Sequence, residues 1–261
     1  MDEGLSVETL AWRDVAPESA PDDRVVDLWC VRSGDSRFDD ERFFDCLSEG
    51  ERDRASRFRF ERDRRSYRVS HACKRHVLSR YVGLSPAELG FSAGEWGKPR
   101  LCGPGPDSEW EFNLSHSKGV TLLGVSRGFE LGVDVEGWQT TERMEPIFKR
   151  FGSEAEKESF DAVSGVERAS LLTGWWVSKE AFIKAIGRGL SQALSEFSIQ
   201  PLVAGRWTLG EVPSEYGAGC DYQLQLISIA PGHLGAVVGR VPSMTLRGFH
   251  FESVWADTAT D

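Results

Sequence analysis

A strand-like alternation and a helical run constrain this chain more than anything else in it. Leu131, Val133 and Val135 alternate with Gly132, Asp134 and Glu136, and side chains at i and i+2 of a strand share a face. Residues 130–136 therefore read as a strand that sends its valines into a core and projects Asp134 and Glu136 together. Trp176-Val-Ser-Lys-Glu-Ala-Phe-Ile-Lys184 reads as part of a helix over about 167–187, on which Glu180 and Lys184 lie on one face. Hard cations such as Mg²⁺ take carboxylate, water and phosphate oxygens. Asp134, Glu136 and Glu180 would supply half of such a shell, with Lys184 beside it.

Plainer descriptions of the same residues stay open. An acidic i/i+2 pair also describes an ordinary half-exposed strand. A Glu180/Lys184 pair also describes a helix surface contact worth about 0.3–0.5 kcal/mol. Against the second stands the company it keeps: Trp175, Trp176, Ala181, Phe182, Ile183 and Ile186 leave little room for a solvated face.

Two further runs suit phosphate. In Phe112-Asn-Leu-Ser-His-Ser-Lys-Gly119, Ser115, His116, Ser117 and Lys118 read as a cluster of donors on a turn between two short strands, a fit for phosphate oxygens or for a turn satisfied by its own hydroxyls. Adjacent residues seldom form a serine–histidine relay, and no G-x-S-x-G surrounds Ser115. In Glu95-Trp-Gly-Lys-Pro99, Gly97 permits close backbone approach and Lys98 offers a cation. The glycine-rich phosphate loops G-x-x-x-x-G-K-[ST] and G-x-G-x-x-G are absent.

Order along the chain predicts an α+β fold of two comparable subdomains, 1–126 and 127–261, split near Ser126–Gly128. In the first, a lead-in over 1–24 precedes a strand at Val25–Val31. The capping box Ser48-Glu-Gly-Glu51 starts a helix at about 49. A helix from Asp63 to Tyr81, with Tyr67, Cys73, Val77 and Tyr81 as its inner stripe, ends at Gly83, and strands follow near 88–92, 110–114 and 119–126. In the second, the 130–136 strand leads to helices near 142–151, 153–162 and 167–187, then strands near 195–200, 205–209, 221–229 and 234–240. After Val241 the chain reads as irregular, with Asp257–Asp261 expected to be disordered.

Composition narrows the partners. The net charge of −10 argues against general nucleic-acid affinity, yet residues 41–80 carry 12 Lys/Arg against 7 Asp/Glu and leave the remainder at −15. A basic segment in an acidic chain suits one anionic ligand, or else a solvated arginine-rich helix face. No apolar run approaches the ~20 residues that span a bilayer, so no membrane partner is expected. The start of the chain lacks the basic and apolar regions of a signal peptide. Five scattered cysteines without C-x-x-C favour reduced thiols and a cytoplasmic location.

Taken in order, W-G-K-P, F-N-L-S-H-S, G-V-D-V-E and W-V-S-K-E-A-F-I-K resemble the 4′-phosphopantetheinyl transferases of the surfactin-type class, over roughly residues 45–240. The resemblance implies a monomer of two α+β halves related by a pseudo-two-fold, with the active site between them. It implies coenzyme A as substrate, Mg²⁺ as cofactor, an apo acyl or peptidyl carrier protein as partner, and release of 3′,5′-ADP. By the same resemblance, Asp134, Glu136 and Glu180 are the metal ligands and Glu180 the general base. Lys184 lies near the leaving phosphate. Ser115 and His116 contact phosphate, with Asn113 beside them. Trp96, Gly97 and Lys98 meet the adenine end, and Arg54 the 3′-phosphate. Two positions depart from the family pattern. Val177 stands where Ser or Thr is usual, a position expected to pack. Glu51 stands where a second basic residue is usual, leaving the 3′-phosphate to Arg54 and His116, or to another arginine such as Arg57 or Arg65. A metal-dependent phosphatase or nucleotidase would use the same carboxylates and is the competing reading. A non-enzymatic nucleic-acid-binding module is the third, disfavoured by the charge.

Overall fold

A computed structural model of the chain describes residues 7, 9–39, 41–102, 109–202, 206–252 and 255. In chain order, β1 (Trp12–Arg13) and β2 (Val25–Arg32) lead to α1 (Glu49–Ser56) and α2 (Glu61–Val82). Four strands follow: β3 (Gly90–Ala93), β4 (Pro99–Cys102), β5 (Trp110–Ser117) and β6 (Val120–Arg127). After β7 (Leu131–Gly137) come α3 (Thr141–Phe151), α4 (Glu154–Asp161) and α5 (Val166–Ala185). The strands β8 (Ile199–Pro201), β9 (Trp207–Leu209), β10 (Gln223–Ala230), β11 (His233–Gly239) and β12 (Thr245–His250) complete the described chain.

The strands form a five-stranded sheet, β1-β12-β2-β6-β5, a three-stranded sheet, β10-β11-β7, and two small hairpins, β3-β4 and β8-β9. The chain crosses from the first sheet to the second between Arg127 and Leu131. Alternation then sorts the side chains into layers. Trp29 and Val31 of β2 face α2, while Val26, Leu28 and Cys30 face the second sheet. There they meet Leu131, Val133 and Val135 of β7, the inward valines that the sequence predicts. The outer face of the second sheet, Leu234, Ala236 and Val238, packs on Trp175, Ala181 and Phe182 of α5. The molecule is thus four layers deep, a helix on either side of two stacked sheets, and its class is α+β.

The local signals act as expected at several points. Ser48 caps α1 in a box closed by Glu51. Gly83 ends α2 with φ 74°, a left-handed conformation that glycine adopts without strain. Gly132 is required by proximity: a Cβ there would overlap the Ala181 carbonyl and the Ala185 amide of α5. The missing side chain lets helix and strand approach closely enough to place Asp134 next to Lys184. Val177 is fully buried, so the departure at that position is a packing choice.

Three expectations are corrected. The stretch after Val241 is not irregular: β12 lies inside the first sheet, parallel to both β1 and β2. Its pattern is masked by Arg247 and Gly248. Arg247 pairs with Asp27 on the neighbouring strand at 2.6 Å, and Gly248 makes room for Leu10 and Trp12. The lead-in likewise contains β1, in register with Gly248 and Phe249. The strand expected over 195–200 begins only at Ile199, after a 3-10 turn at Leu194–Glu196. The disorder expected at Asp257–Asp261 falls outside the described residues.

Candidate active site

β5 and β7 are edge strands of different sheets, and side chains alone join them. Asn113 accepts the Val133 amide at 2.9 Å through Oδ1. Ser115 donates to Asp134 at 2.7 Å, and Ser117 donates to Glu136 at 2.7 Å. Period-two geometry explains the spacing: 113, 115 and 117 share one face of β5, as 134 and 136 share one face of β7. The run therefore continues as strand to Ser117 instead of forming a turn of donors. The turn is Lys118–Gly119, both with positive φ, and His116 stands exposed near the end of the strand.

α5 adds the remaining groups. Lys184 donates to Asp134 at 2.5 Å and to Ser115 at 3.1 Å. Burial first, then the neighbouring Asp134 carboxylate, push the Glu180 carboxyl up to about 7 against the pull of Lys184, with Glu136 adding to the rise. The His116 ring lies within electrostatic reach of Lys184, Asp134 and Glu136. The structure thus brings together Asn113, Ser115, His116, Asp134, Glu136, Glu180 and Lys184.

The donor set fits a hard cation in part. Among the described residues, no three His, Cys, Asp or Glu side chains are gathered closely enough to hold a metal ion by themselves. What stands there is an all-oxygen set with spare capacity. Asp134 Oδ2 is buried with no hydrogen-bond partner, and Asp134 and Glu136 stand close enough to Glu180 to favour its protonated form. A cation bound to these oxygens relieves both penalties, and water and phosphate oxygens would complete its shell.

A cleft of about 220 Å³ opens beside this group, lined by Trp96, Gly97, Lys98, Asn113, Lys184 and Gly187 among others. Lys98 is present but committed. Its ammonium donates to the carbonyls of Leu131 and Ala185 at 3.0 and 3.1 Å and pairs with Glu111 at 3.6 Å. It ties the β3-β4 turn to β7 and α5, so it shapes the cleft wall and leaves no free cation there.

Arg54 stands apart, exposed on α1. Its guanidinium lies over Tyr67 at 5.8 Å, Tyr67 stacks on His71 at 3.8 Å, and His71 is within electrostatic reach of His116. Burial, with Lys74 nearby, pushes His71 down to about 3, so it is neutral at pH 7. Tyr67 and His71 are the link that sequence reading misses, because their contact joins α2 to two other elements. Arg57 shares with Arg54 an open cleft of about 570 Å³. Arg65 does not, being held by the carbonyls of Ser33 and Asp35 and by Asp39. Glu51, at the position departing from the family pattern, is bonded to Lys74 and Arg75 at 2.9 and 2.6 Å.

Comparison with known proteins supplies the family. Residues 130–236 match the 4′-phosphopantetheinyl transferase superfamily, and residues 36–127 match the 4′-phosphopantetheinyl transferase N-terminal family. The 4′-phosphopantetheinyl transferase HetI of Nostoc sp. is 30% identical over 195 residues, 75% of this chain and 75% of that one. The 4′-phosphopantetheinyl transferase Sfp of Bacillus subtilis is 31% identical over 208 residues, 79% of this chain and 88% of that one. A solved holo-(acyl-carrier-protein) synthase from Bacillus anthracis, 18% identical, covers 42% of this chain and 95% of its own with a TM-score of 0.34, a partial likeness only. The chain belongs to the 4′-phosphopantetheinyl transferase superfamily. It is an enzyme of that class.

Proposed function

We propose that this enzyme moves the 4′-phosphopantetheine arm of coenzyme A onto a serine of an acyl or peptidyl carrier protein and releases 3′,5′-ADP. The observation that carries the reading is Glu180. It is grouped with Asp134, Glu136 and Lys184 at the joint of β5, β7 and α5, where burial and the Asp134 carboxylate push its carboxyl up to about 7, toward the range in which a carboxylate both accepts and returns a proton at neutral pH. Glu180 takes the proton of the carrier serine hydroxyl. The serine oxygen forms a bond to the β-phosphorus as the bond from that phosphorus to the oxygen of 3′,5′-ADP breaks. Lys184, four residues on along the same helix, meets the negative charge that develops on the departing oxygen. Asp134, Glu136 and Glu180 would hold Mg²⁺. When bound, it supplies positive charge to the pyrophosphate oxygens.

Ser115 and His116 face the phosphates, and Asn113 keeps β5 against β7 by its bond to the Val133 amide. Trp96, Gly97 and Lys98 form the wall for the adenine end, Lys98 by shape alone. Arg54, with Arg57 beside it, takes the 3′-phosphate. The acidic carrier is the expected partner, and a monomer acting in the cytoplasm the expected form.

Incubation with coenzyme A, Mg²⁺ and an apo carrier tests the reading by mass spectrometry. A carrier that gains the phosphopantetheine mass supports it, whereas phosphate release without that gain identifies a phosphatase instead. Glu180→Gln should lower turnover ~10²-fold or more while coenzyme A still binds. Unchanged turnover would remove Glu180 from the role of base.

A further inference from the structure

The sequence Gly187-Arg-Gly189 directly follows α5. Both glycines have positive φ, 73° and 53°, so the chain makes two turns that only glycine takes without strain. Between them Arg188 extends its side chain to two aromatic rings. Its guanidinium lies over the indole of Trp96 at 5.0 Å and over the ring of Tyr216 at 5.7 Å. Trp96 belongs to the β3-β4 turn, which lines the cleft, and Tyr216 to a 3-10 turn near β10, so Arg188 joins the cleft wall to a second element.

Lys98 and Lys184 line this cleft, and Arg188 stands between two glycines that line it; the three cations differ in what they have left to offer. Lys98 is taken by two carbonyls and Glu111, whereas Lys184 bonds Asp134 and Ser115 and keeps one N–H. Among the described residues, no carboxylate lies within ion-pair distance of Arg188. A guanidinium resting over aromatic rings keeps the donors along its edge available, and their fork matches two oxygens of one phosphate.

We infer that Arg188 is a further substrate-binding residue of the enzyme, and that it takes a phosphate group of the nucleotide end of the substrate while Trp96 and Tyr216 hold the guanidinium in place. The inference rests on the transferase reading. It adds a residue from the α5 side to a binding site otherwise formed by Arg54, His116 and the Trp96 turn. The aromatic support matters to the chemistry: an arginine already ordered loses less conformational freedom on binding than a free surface side chain.

Calorimetric titration of the full chain with 3′,5′-ADP reads this without requiring catalysis. Wild-type protein should bind. Arg188→Gln, which removes the charge and keeps a planar end group, should bind about 10-fold more weakly, and Arg188→Lys should recover part of the loss. In carrier loading, Arg188→Gln should raise KM for coenzyme A by a similar factor and leave kcat within about threefold. Repeating the assay with 3′-dephospho-coenzyme A identifies the phosphate. If the penalty vanishes, Arg188 meets the 3′-phosphate. If it persists, Arg188 meets the pyrophosphate.

Wild-type affinity for 3′,5′-ADP in Arg188→Gln, with only the KM for the carrier raised, would overturn the inference in favour of a contact with the carrier. Unchanged behaviour in every assay would reduce Arg188 to a packing contact. A wild-type protein that binds neither coenzyme A nor 3′,5′-ADP would instead overturn the transferase reading itself.

Discussion

The two long helices repeat one device and put it to different ends. Before α2, Ser48 caps a short helix and Glu51 closes its capping box. Before α5, Ser153 caps a short helix and Glu156 closes that one. In each half the glutamate then accepts a buried lysine from the long helix: Lys74 at 2.9 Å, and Lys179 at 3.0 Å, each 23 residues further on. The halves part at the next position. Arg75 donates to Glu51 and to the carbonyls of Pro86 and Leu89, and is held at three points. Its counterpart is Glu180, which makes no hydrogen bond among the described residues and faces two other carboxylates. One scaffold therefore carries a structural cation in the first half and, in the second, the carboxyl proposed as the base. The lesson is that the fold supplies the position, and the residue placed there decides whether it stabilises or reacts.

The sharpest way to break this comparison is at the lysines. Lys179→Met strands Glu156 in the core and abandons the carbonyls of Leu194 and Phe197, each 2.6 Å away. Its expected cost is about 3–5 kcal/mol in urea unfolding. Lys74→Met should cost distinctly less, because Arg75 still holds Glu51. Equal losses would mean that the two pairs do not do comparable work.

Next come the diverging residues. Arg75→Gln should lower stability by about 2–3 kcal/mol, with turnover of the folded fraction little changed. Glu180→Gln should do the reverse, raising the thermal midpoint slightly because it removes a carboxylate held among carboxylates.

Acid provides a smaller probe. Burial raises Glu51, but Lys74, the Ser48 amide and Arg75 outweigh it and hold the carboxyl at about 2, below its ordinary value of 4.5. The stability it contributes is complete above pH 4.5 and is lost as the pH falls toward 2. Glu51→Gln should flatten the urea midpoint across that window, and an unaltered slope would contradict the assignment. The caps should show the smallest effect. Ser48→Ala and Ser153→Ala should each cost about 1 kcal/mol by thermal unfolding, and by similar amounts if the halves share this device.

Much of this was legible in the sequence where one element contains the whole signal. The alternation from Leu131 to Glu136 defines β7, its inward face and its acidic face. Ser48 and Glu51 define the start of α1, and the apolar run around Glu180 marks α5 as packed. What stays hidden depends on a second element. β12 is disguised by Arg247 and Gly248, whose reasons are Asp27 on the next strand and the Leu10 and Trp12 side chains above it. Lys98 reads as a free cation until the carbonyls of Leu131 and Ala185 are seen to claim it. Tyr67 and His71 look like core residues of one helix, and only the fold shows them leading from Arg54 toward His116. Arg188 had a local signal, a basic residue between two glycines, but its meaning depends on a tryptophan from the β3-β4 turn.

The joint between β5 and β7 has a consequence for how such an enzyme can change over generations. A backbone ladder is indifferent to the side chains it carries, so sequences can drift while the strands stay paired. Here the strands are held by Asn113, Ser115 and Ser117 reaching Val133, Asp134 and Glu136, and Asp134 and Glu136 are also the residues proposed to hold the metal. On that proposal, a mutation that alters the reaction also loosens the joint, and one that loosens the joint alters the reaction. The two properties are inherited together, and a descendant that sheds the activity must find another way to hold its halves in register.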